Sequence, residues 1–364
     1  MVDQAKNEYQ PDYAVFPGEV LSYELELRGM AQQELAKRTG LTPKHIVSIV
    51  KGKSAITSET AIKLERAIGM PADYWLNLES QYQETQARLA EEAQLEHDLD
   101  WLKKIPVTQM VKLGWLKKFK DKKEQLVEVL RFFGIASVNQ WDDVWPGLNV
   151  AYRQHNTHEV FPEAISAWLR QGEIEALSIE CEAYDKKNFR AALDNVRALT
   201  TQPPDVFVPE MQRLCAATGV AVVFVPALPK TGVSGATRWL HPNKAIIQLS
   251  LRYKADDQLW FTFFHEAGHI LLHGKKELFL EGANGLDVDK EDEANVFSEN
   301  ELIPKKAFTE FTRNGSFSKA SIIEFAKRVG IAPGIVVGQL QHKSYLKVNF
   351  CNDLKQRFKW VTEK

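Results

Sequence analysis

Residues 263–274 read FFHEAGHILLHG, a stretch with two histidines four residues apart and a glutamate directly after the first. On an α-helix, residues four apart share a face, so His265 and His269 can both ligate one metal ion. Glu266 lies one step further round the helix, where its carboxylate can take a proton from water at the metal's open position and pass it to a leaving amine. The spacing therefore predicts a Zn²⁺ site with Glu266 as the catalytic base.

The surroundings of this stretch decide between a metal site and two core histidines with ordinary hydrogen bonds. QLWFTFF precedes it and ILL lies within it, so the helix is apolar nearly all round and is expected to be buried. Buried imidazole and carboxylate groups need partners, and a metal ion supplies them. We therefore favour the metal site over a pair of core histidines.

The third metal ligand has to come from outside this helix. His273 continues the stripe, but eight residues at 1.5 Å each place it about 12 Å from His265, whereas two ligands of one zinc lie within about 4 Å. The acid-rich segment DKEDEANVFSENELIP follows at a suitable distance. Glu293 lies four residues before the apolar Phe297 and shares its inward stripe, whereas Glu291 is expected to point away. We predict Glu293 as the third ligand and His273 as a supporting residue; the alternative for this segment is a solvated acidic face.

A second informative stretch, QQELAKRTGLTPKHIVSIVKGK, occupies residues 32–53. Gly40 is a natural C-cap for one short helix, and Thr42 can N-cap the next, with Pro43 at its first position. This is the helix-turn-helix layout, in which the start of the second helix enters the major groove of DNA. A plain helical bundle is the alternative that the pattern alone leaves open.

The charge of this stretch favours DNA. Residues 37–53 carry five Lys or Arg and no acid, although the whole chain has a net charge of −2, and phosphate binding needs such a local excess. The candidate DNA contacts are Gln33, Thr42, Lys44, His45, Ser48 and Lys51.

Composition limits the remaining possibilities. Of the 364 residues, 44% are hydrophobic and 26% charged, as in an ordinary globular protein, and the near-neutral net charge excludes a chain-wide affinity for nucleic acid. The three cysteines are far apart without CxxC spacing, which argues against a disulfide framework or a cysteine zinc site and favours a reducing compartment. No signal segment and no run of 18 apolar residues is visible, so we expect a cytoplasmic protein outside the membrane.

The pattern along the chain predicts a multidomain protein. An all-α N-terminal domain and a helical middle region precede an α+β C-terminal domain with a small sheet, whose strands are expected in GVAVVFVPAL, VSGATRW and KAIIQLSL. The predicted segments are a flexible N-terminus at 1–16, the helix-turn-helix domain at 17–79, a helical, Lys-rich linker at 80–123, the helical middle region at 124–204 and the C-terminal domain at 205–364.

Eight lysines lie between residues 103 and 123. We favour a solvated linker face for them over a second nucleic-acid site.

The segment that begins PGEVLSYELEL at residue 17 and ends PADYWLNLESQY at residue 82 closely resembles the XRE-type helix-turn-helix of HigA-like antitoxins. The resemblance implies an all-helical, usually homodimeric domain that binds a palindromic operator in double-stranded DNA. Members of this family often bind a partner toxin, so a cognate toxin is a further expected partner.

The segments WFTFFHEAGHILLH and EDEANVFSENELIP resemble the ImmA/IrrE metallopeptidases. This resemblance implies a zincin-like domain with His265, His269 and Glu293 as zinc ligands and Glu266 as catalytic base. The chain departs from the family pattern at Ser298, where alanine is usual.

The whole chain resembles fused HigA-like and ImmA/IrrE regulators, which implies a transcriptional regulator with a zinc endopeptidase that cleaves a repressor-like protein. The alternative is an antitoxin or autorepressor whose zinc domain is structural or sensory rather than catalytic.

Overall fold

The computed structural model describes residues 14–145, 161–275, 278–281, 288–313 and 315–360. The chain folds as two compact units, Met1–Leu99 and Asp100–Lys364. The predicted flexible N-terminus at 1–16 lies outside the described residues except for its last three positions. Among the described residues, no helix combines the length and the apolar character that crossing a membrane requires.

The first unit consists of helices over the residues that the structure describes. They are α1 (Pro17–Leu27), α2 (Gln32–Thr39), α3 (Pro43–Val50), α4 (Ser58–Ile68) and α5 (Ala72–Asp98). Their core contains Leu21, Leu35, Ile46, Leu64 and Trp75, all of them fully buried. Helix α5 runs through the predicted domain boundary at residue 79, so the predicted helical linker at 80–123 begins within a helix that starts inside this unit.

The second unit combines helices with a small sheet. Its helices before the sheet are α6 (Val107–Lys112), α7 (Lys122–Phe133), α8 (Trp141–Val144), α9 (Pro162–Leu177), α10 (Lys186–Ala198) and α11 (Pro204–Ala216). The strands and later helices are β1 (Val220–Phe224), β2 (Gly235–His241), β3 (Lys244–Leu249), α12 (Asp256–Leu272), β4 (Phe279–Glu281), α13 (Val288–Leu302), α14 (Lys305–Arg313), α15 (Lys319–Val329) and α16 (Pro333–His342). The multidomain α and α+β architecture predicted from the sequence is confirmed.

The four strands form one sheet in the order β1-β3-β2-β4. Strands β1 and β3 are parallel, whereas β2 is antiparallel to both β3 and β4. The strands expected in VSGATRW and KAIIQLSL are present and form a hairpin, with His241 opposite Lys244. Strand β4 is only three residues long, and its sequence carries no alternating pattern long enough to predict it.

Helices cover both faces of this sheet. Alternate residues of β3, including Ile247 and Leu249, join the core that surrounds α12. On the opposite face, Gln248 Nε2 donates to Trp168 O on α9 over 2.7 Å, and Trp168 Nε1 donates to Val225 O over 3.0 Å. A Cβ on Gly172 of α9 would lie 1.9 Å from Gln248 Oε1, so the helix lies directly on the sheet. The middle region at 124–204 therefore supplies a layer of the same unit that contains the HExxH helix.

The later helices are joined by Arg197 of α10. Its guanidinium donates to Leu302 O over 2.8 Å and to Val329 O over 2.7 Å. These carbonyls lie at the C-terminal ends of α13 and α15, where backbone acceptors have no partner within the helix. One side chain thus fixes the ends of two helices that pack around α12.

Candidate functional site

The turn between α2 and α3 has the geometry that the sequence predicts. Gly40 adopts the left-handed conformation with φ of 69°, which only glycine adopts without strain. Thr42 caps α3, since its hydroxyl oxygen accepts a hydrogen bond from His45 N over 3.2 Å. Ile46 and Ile49 face the core. The helix-turn-helix prediction is confirmed.

The predicted DNA contacts differ in how far they reach the surface. Gln33, Thr42, Lys44 and Lys51 are exposed, whereas His45 and Ser48 are half-buried. Ser48 Oγ lies 2.6 Å from Ser54 Oγ, so this hydroxyl already has a partner within the domain.

Sequence reasoning missed Val47 on the same outer face of α3. Its side chain is 36% exposed, and it lies at i+3 from Lys44 and i−4 from Lys51. That spacing was the signal that could have found it. An exposed apolar side chain among polar ones suits contact with the methyl group of thymine.

Helix α12 is buried on all sides around the HExxH motif, as predicted. Every residue from Thr262 to Leu271 is buried. His265 Nε2 and His269 Nε2 lie 3.0 Å apart, which is the common face expected for residues four apart. The two imidazole nitrogens thus converge on one point.

A carboxylate from α13 completes this cluster, and it belongs to Glu291. Its two oxygens lie 3.3 Å from His265 Nε2 and 3.5 Å from His269 Nε2. One ligand atom from each of the three residues lies within 4.8 Å of the others. Two imidazoles and one carboxylate are a donor set typical of catalytic zinc sites.

The structure does not bring Glu293, the predicted third ligand, into this cluster. Glu293 is exposed, and its carboxylate lies 3.1 Å from His273 Nε2 instead. The buried stripe of α13 that faces α12 runs through the small residues Ala294 and Ser298, while the half-buried Phe297 also lies against α12, near Gly268. Glu291 precedes these two residues by three and seven positions, which places it on the inward stripe.

The other ring nitrogens of the histidines are held by hydrogen bonds. His265 Nδ1 lies 3.0 Å from Asn295 Oδ1, an amide oxygen that can only accept, so this nitrogen carries the proton. His273 Nε2 donates to Glu293, which leaves His273 Nδ1 to accept from His269 Nδ1 over 2.9 Å. The Nε2 atoms of His265 and His269 therefore carry no proton, and their lone pairs face each other.

This arrangement fits a cation. Two lone pairs at 3.0 Å repel each other unless a positive charge lies between them. Burial, followed by the charges of His265 and His273, lowers the pKa of His269 to about 2, so its imidazole is neutral at physiological pH and can act as a metal ligand. Phe279 of β4 stacks on the His269 ring with the centroids 4.0 Å apart and limits its rotation. The residues present therefore suit a divalent metal with nitrogen and oxygen ligands.

Glu266 lies beside this cluster, fully buried against β2. A Cβ on Gly235 would lie 2.7 Å from Glu266 Oε1, and Thr237 Oγ1 donates to Glu266 O over 3.2 Å. The sheet thus fixes both the backbone and the carboxylate of the predicted base. Sequence reasoning missed Gly235, because a glycine in a strand gives no sign of which side chain it accommodates.

Ser298, the departure from the family pattern, is fully buried without strain. Its hydroxyl donates to Phe261 O on α12 over 2.8 Å. The substitution therefore keeps the close approach of the two helices.

Comparisons with known proteins match two parts of the chain. The Helix-turn-helix family matches residues 21–75, and the IrrE N-terminal-like domain family matches residues 215–340. The virulence-associated protein I of Dichelobacter nodosus is 39% identical over 70 residues, which cover 19% of this chain and 65% of that protein. The uncharacterised HTH-type transcriptional regulator YddM of Escherichia coli is 33% identical over 64 residues, which cover 18% of this chain and 68% of that protein. The chain thus spans about two thirds of the length of these relatives.

Two solved structures are also similar. The Pseudomonas aeruginosa antitoxin HigA with the higBA promoter is 30% identical, with a TM-score of 0.22 over 24% of this chain and 95% of that chain. An addiction module antidote protein of the HigA family from Coxiella burnetii is 30% identical, with a TM-score of 0.22 over 23% of this chain and 92% of that chain.

Proposed function

Since the chain belongs to the XRE-type helix-turn-helix regulators and carries an IrrE N-terminal-like domain, we propose that it is a DNA-binding transcriptional regulator with a zinc-dependent endopeptidase domain. The observation that carries the peptidase half is the convergence of His265, His269 and Glu291 on one buried point. The outer face of α3 carries the DNA-binding half.

For DNA binding, α3 enters the major groove and its first residues read the base edges. Lys44 and Lys51 supply positive charge at the two ends of this face, while Val47 supplies an apolar contact. A homodimer would place two such helices on a palindromic operator, because the symmetry of the protein mirrors that of its site. A cognate toxin remains a further proposed partner.

The DNA half is tested on the promoter of the chain's own gene. Lys44→Ala and Ser48→Ala are compared with the wild type by fluorescence anisotropy over a range of salt concentrations. The lysine variant should lower affinity on all sequences and reduce the salt slope by about 1, because it neutralises one phosphate fewer. Unchanged affinity and unchanged slope in both variants would exclude α3 as the recognition helix.

For peptide hydrolysis, His265, His269 and Glu291 would hold the zinc ion. Zinc bound there supplies Lewis acidity, which polarises a peptide carbonyl and makes water more acidic. Glu266 takes the proton of the attacking water and delivers it to the leaving amine. The proposed substrate is a repressor-type protein, such as the DNA-binding module of this chain or of a related one.

Glu293 and His273 act through His269. The Glu293 carboxylate orients His273. His273 in turn accepts a hydrogen bond from His269 Nδ1, so that Nε2 of His269 stays unprotonated and keeps its lone pair. Glu293 is thus proposed to position a ligand rather than to be one.

The zinc content of two variants distinguishes Glu291 as a ligand from Glu293 as a positioning residue. Glu291→Gln should lose most bound zinc, whereas Glu293→Gln should keep one zinc per chain with an affinity roughly 10–100-fold lower. Zinc is measured by elemental analysis, and its affinity by competition with a chelator. Zinc loss in Glu293→Gln together with retention in Glu291→Gln would reverse the assignment.

Proteolysis tests the catalytic role of Glu266. Glu266→Gln should bind zinc like the wild type and fail to cut a candidate repressor. The burial of Glu266 and both histidines favours a second candidate function, in which the zinc site is structural or sensory. One zinc per chain with no cleavage of any candidate by the wild type would support that second function.

A further inference from the structure

The loop between α6 and α7 presents a dense cluster of positive charge. We call this cluster, with the lysines at its two ends, the basic loop. It comprises the exposed residues Lys112, Lys117, Lys118, Lys120 and Lys122. None of these five side chains forms a salt bridge with a described residue. Together with Lys123 and Asp121, they give residues 112–123 a charge of +5, equal to that of residues 37–53 around the recognition helix.

This loop is held in a defined conformation by α7. Gln125 brackets it, accepting from Phe119 N over 3.0 Å and donating to Lys117 O over 3.2 Å. The ring of Trp115 stacks parallel to that of Phe132, with the centroids 6.5 Å apart. The lysines are therefore presented by an ordered segment and not by a loose linker.

The acids in and beside the loop face the backbone instead of the lysines. Glu128 Oε1 accepts from Lys117 N over 3.0 Å. Asp121 Oδ1 accepts from Lys123 N over 2.8 Å and from Glu124 N over 2.9 Å, which caps α7. Neither carboxylate is engaged with an ammonium group of the loop. The five exposed ammonium groups, which form no salt bridge with a described residue, are therefore available to pair with the phosphates of a polyanion.

We propose that the basic loop binds the phosphate backbone of duplex DNA. This inference rests on the proposed DNA-binding function of the chain. Lysines act as point charges on phosphate, and this loop lacks the Arg, Asn and Gln side chains that make bidentate contacts to base edges. Single-stranded nucleic acid is bound by stacking on exposed aromatic rings. Trp115 and Phe119 are half-buried, so the loop suits the backbone of a duplex.

The test measures affinity for a random-sequence 40-base-pair duplex as a function of salt, using the full chain. A triple variant with Lys117→Gln, Lys118→Gln and Lys120→Gln should bind more weakly. Its slope of log K against log salt should be shallower by about 2.7, which is 0.9 for each of the three phosphates that the variant no longer neutralises.

A matched control removes the same charge elsewhere in the same unit. Lys186→Gln, Lys187→Gln and Lys305→Gln replace three other exposed lysines. Its slope should stay within about 1 of the wild type, since net charge alone acts weakly through salt. Equal slopes for the loop variant and the wild type, or an equal decrease of the slope in both triple variants, would overturn the proposal.

Two further measurements distinguish DNA binding by the basic loop from DNA binding by the helix-turn-helix and from binding of another partner by the loop. Lys44→Gln in the recognition helix reports on the helix-turn-helix independently. Loss of duplex binding in Lys44→Gln with no effect of the loop variant overturns the basic loop alone, whereas a wild type that binds no duplex overturns both proposals. A loop variant that loses binding to single-stranded RNA or to anionic vesicles, while its duplex slope is unchanged, assigns the loop to another partner and also overturns the proposal.

Discussion

The ionised carboxylate of Asp256, the first residue of α12, is expected to destabilise the folded second unit at neutral pH. Its side chain is 1% exposed, and a Cβ on Gly334 of α16 would lie 2.4 Å from its carboxylate oxygens, so the two helices enclose it. Burial is the main cause that raises the pKa of Asp256 to about 6, and the charge of Asp257 adds to it. Hydrogen bonds from the backbone of Gln356 and Asp257 and the charge of Lys355 oppose the rise.

The sign of the pH dependence follows from this shift. A carboxyl whose folded pKa lies above its unfolded value of 3.8 favours the folded state when protonated, and this stability is lost as the pH rises through about 6. The shift of about 2 units corresponds to about 3 kcal/mol at pH 7.5. Replacing the carboxylate by a neutral amide would remove this cost, but the buried amide group needs a new acceptor, at a cost of roughly 1–2 kcal/mol.

We therefore expect Asp256→Asn to stabilise the second unit by about 1–2 kcal/mol at pH 7.5. The gain relative to the wild type should shrink by about 2 kcal/mol at pH 4.5, where the folded wild type is already protonated. Urea denaturation followed by tryptophan fluorescence at both pH values measures these differences.

Asp257→Asn is the matched control, because Lys355 Nζ lies 2.7 Å from Asp257 Oδ2 and would lose its ion-pair partner, keeping only its hydrogen bond to Gln341 Oε1. That variant should be destabilised at pH 7.5. If Asp256→Asn is destabilised equally at both pH values, the ionised carboxylate of Asp256 does not destabilise the folded state at neutral pH, and the reasoning fails.

Three further substitutions test the packing by urea or thermal denaturation. Arg197→Ala should cost about 3 kcal/mol, because it removes charged hydrogen bonds to the ends of α13 and α15; a destabilisation below about 0.5 kcal/mol would contradict that role. Thr42→Ala should cost about 1 kcal/mol in the first unit, because it removes the cap of His45 N, and Thr42→Ser should restore most of it. Gly172→Ala should cost about 1–3 kcal/mol, because the new methyl group meets Gln248; Gln248→Ala in the same chain should relieve part of this cost, and no relief would exclude the clash as its cause.

Local signals were sufficient for the helix-turn-helix and for the two histidines of the candidate metal site. Gly40 and Thr42 fix a helix end and a helix start by their own backbone chemistry, so the turn between α2 and α3 could be predicted from the sequence. His265 and His269 share a face by helix geometry alone, which needs no knowledge of the rest of the fold.

The third ligand could not be predicted in the same way, because it depends on which side of α13 packs against α12. The prediction rested on the large apolar Phe297, which does lie near Gly268 of α12, but the residues fully buried at this helix contact are the small Ala294 and Ser298. A search for apolar residues passes over a buried serine such as Ser298. Its hydrogen bond to the carbonyl of Phe261 nevertheless offsets the free-energy cost of burying its hydroxyl. The spacing of Glu291, Ala294 and Ser298 at i, i+3 and i+7 was the signal available.

The packing of the middle region, residues 124–204, on the sheet could not be predicted from the sequence either. Helix α9 packs on the sheet partly through polar contacts, such as that between Gln248 and the backbone of Trp168. Such contacts leave no hydrophobic pattern in the sequence that links one element to another 80 residues away.

The helix α9 on one face of the sheet and the helix α10 in the core around α12 determine which fragment of the second unit could fold after transfer to another protein. The segment that matches the IrrE N-terminal-like family, residues 215–340, leaves out Trp168 of α9 and also Phe189 and Leu193 of α10, all fully buried. It also omits Phe358, which packs against Phe207 at 5.6 Å. A gene fragment cut at those limits would uncover the part of the sheet that α9 covers and would remove core residues around α12, so the smallest portable piece begins before residue 162 and extends past residue 358.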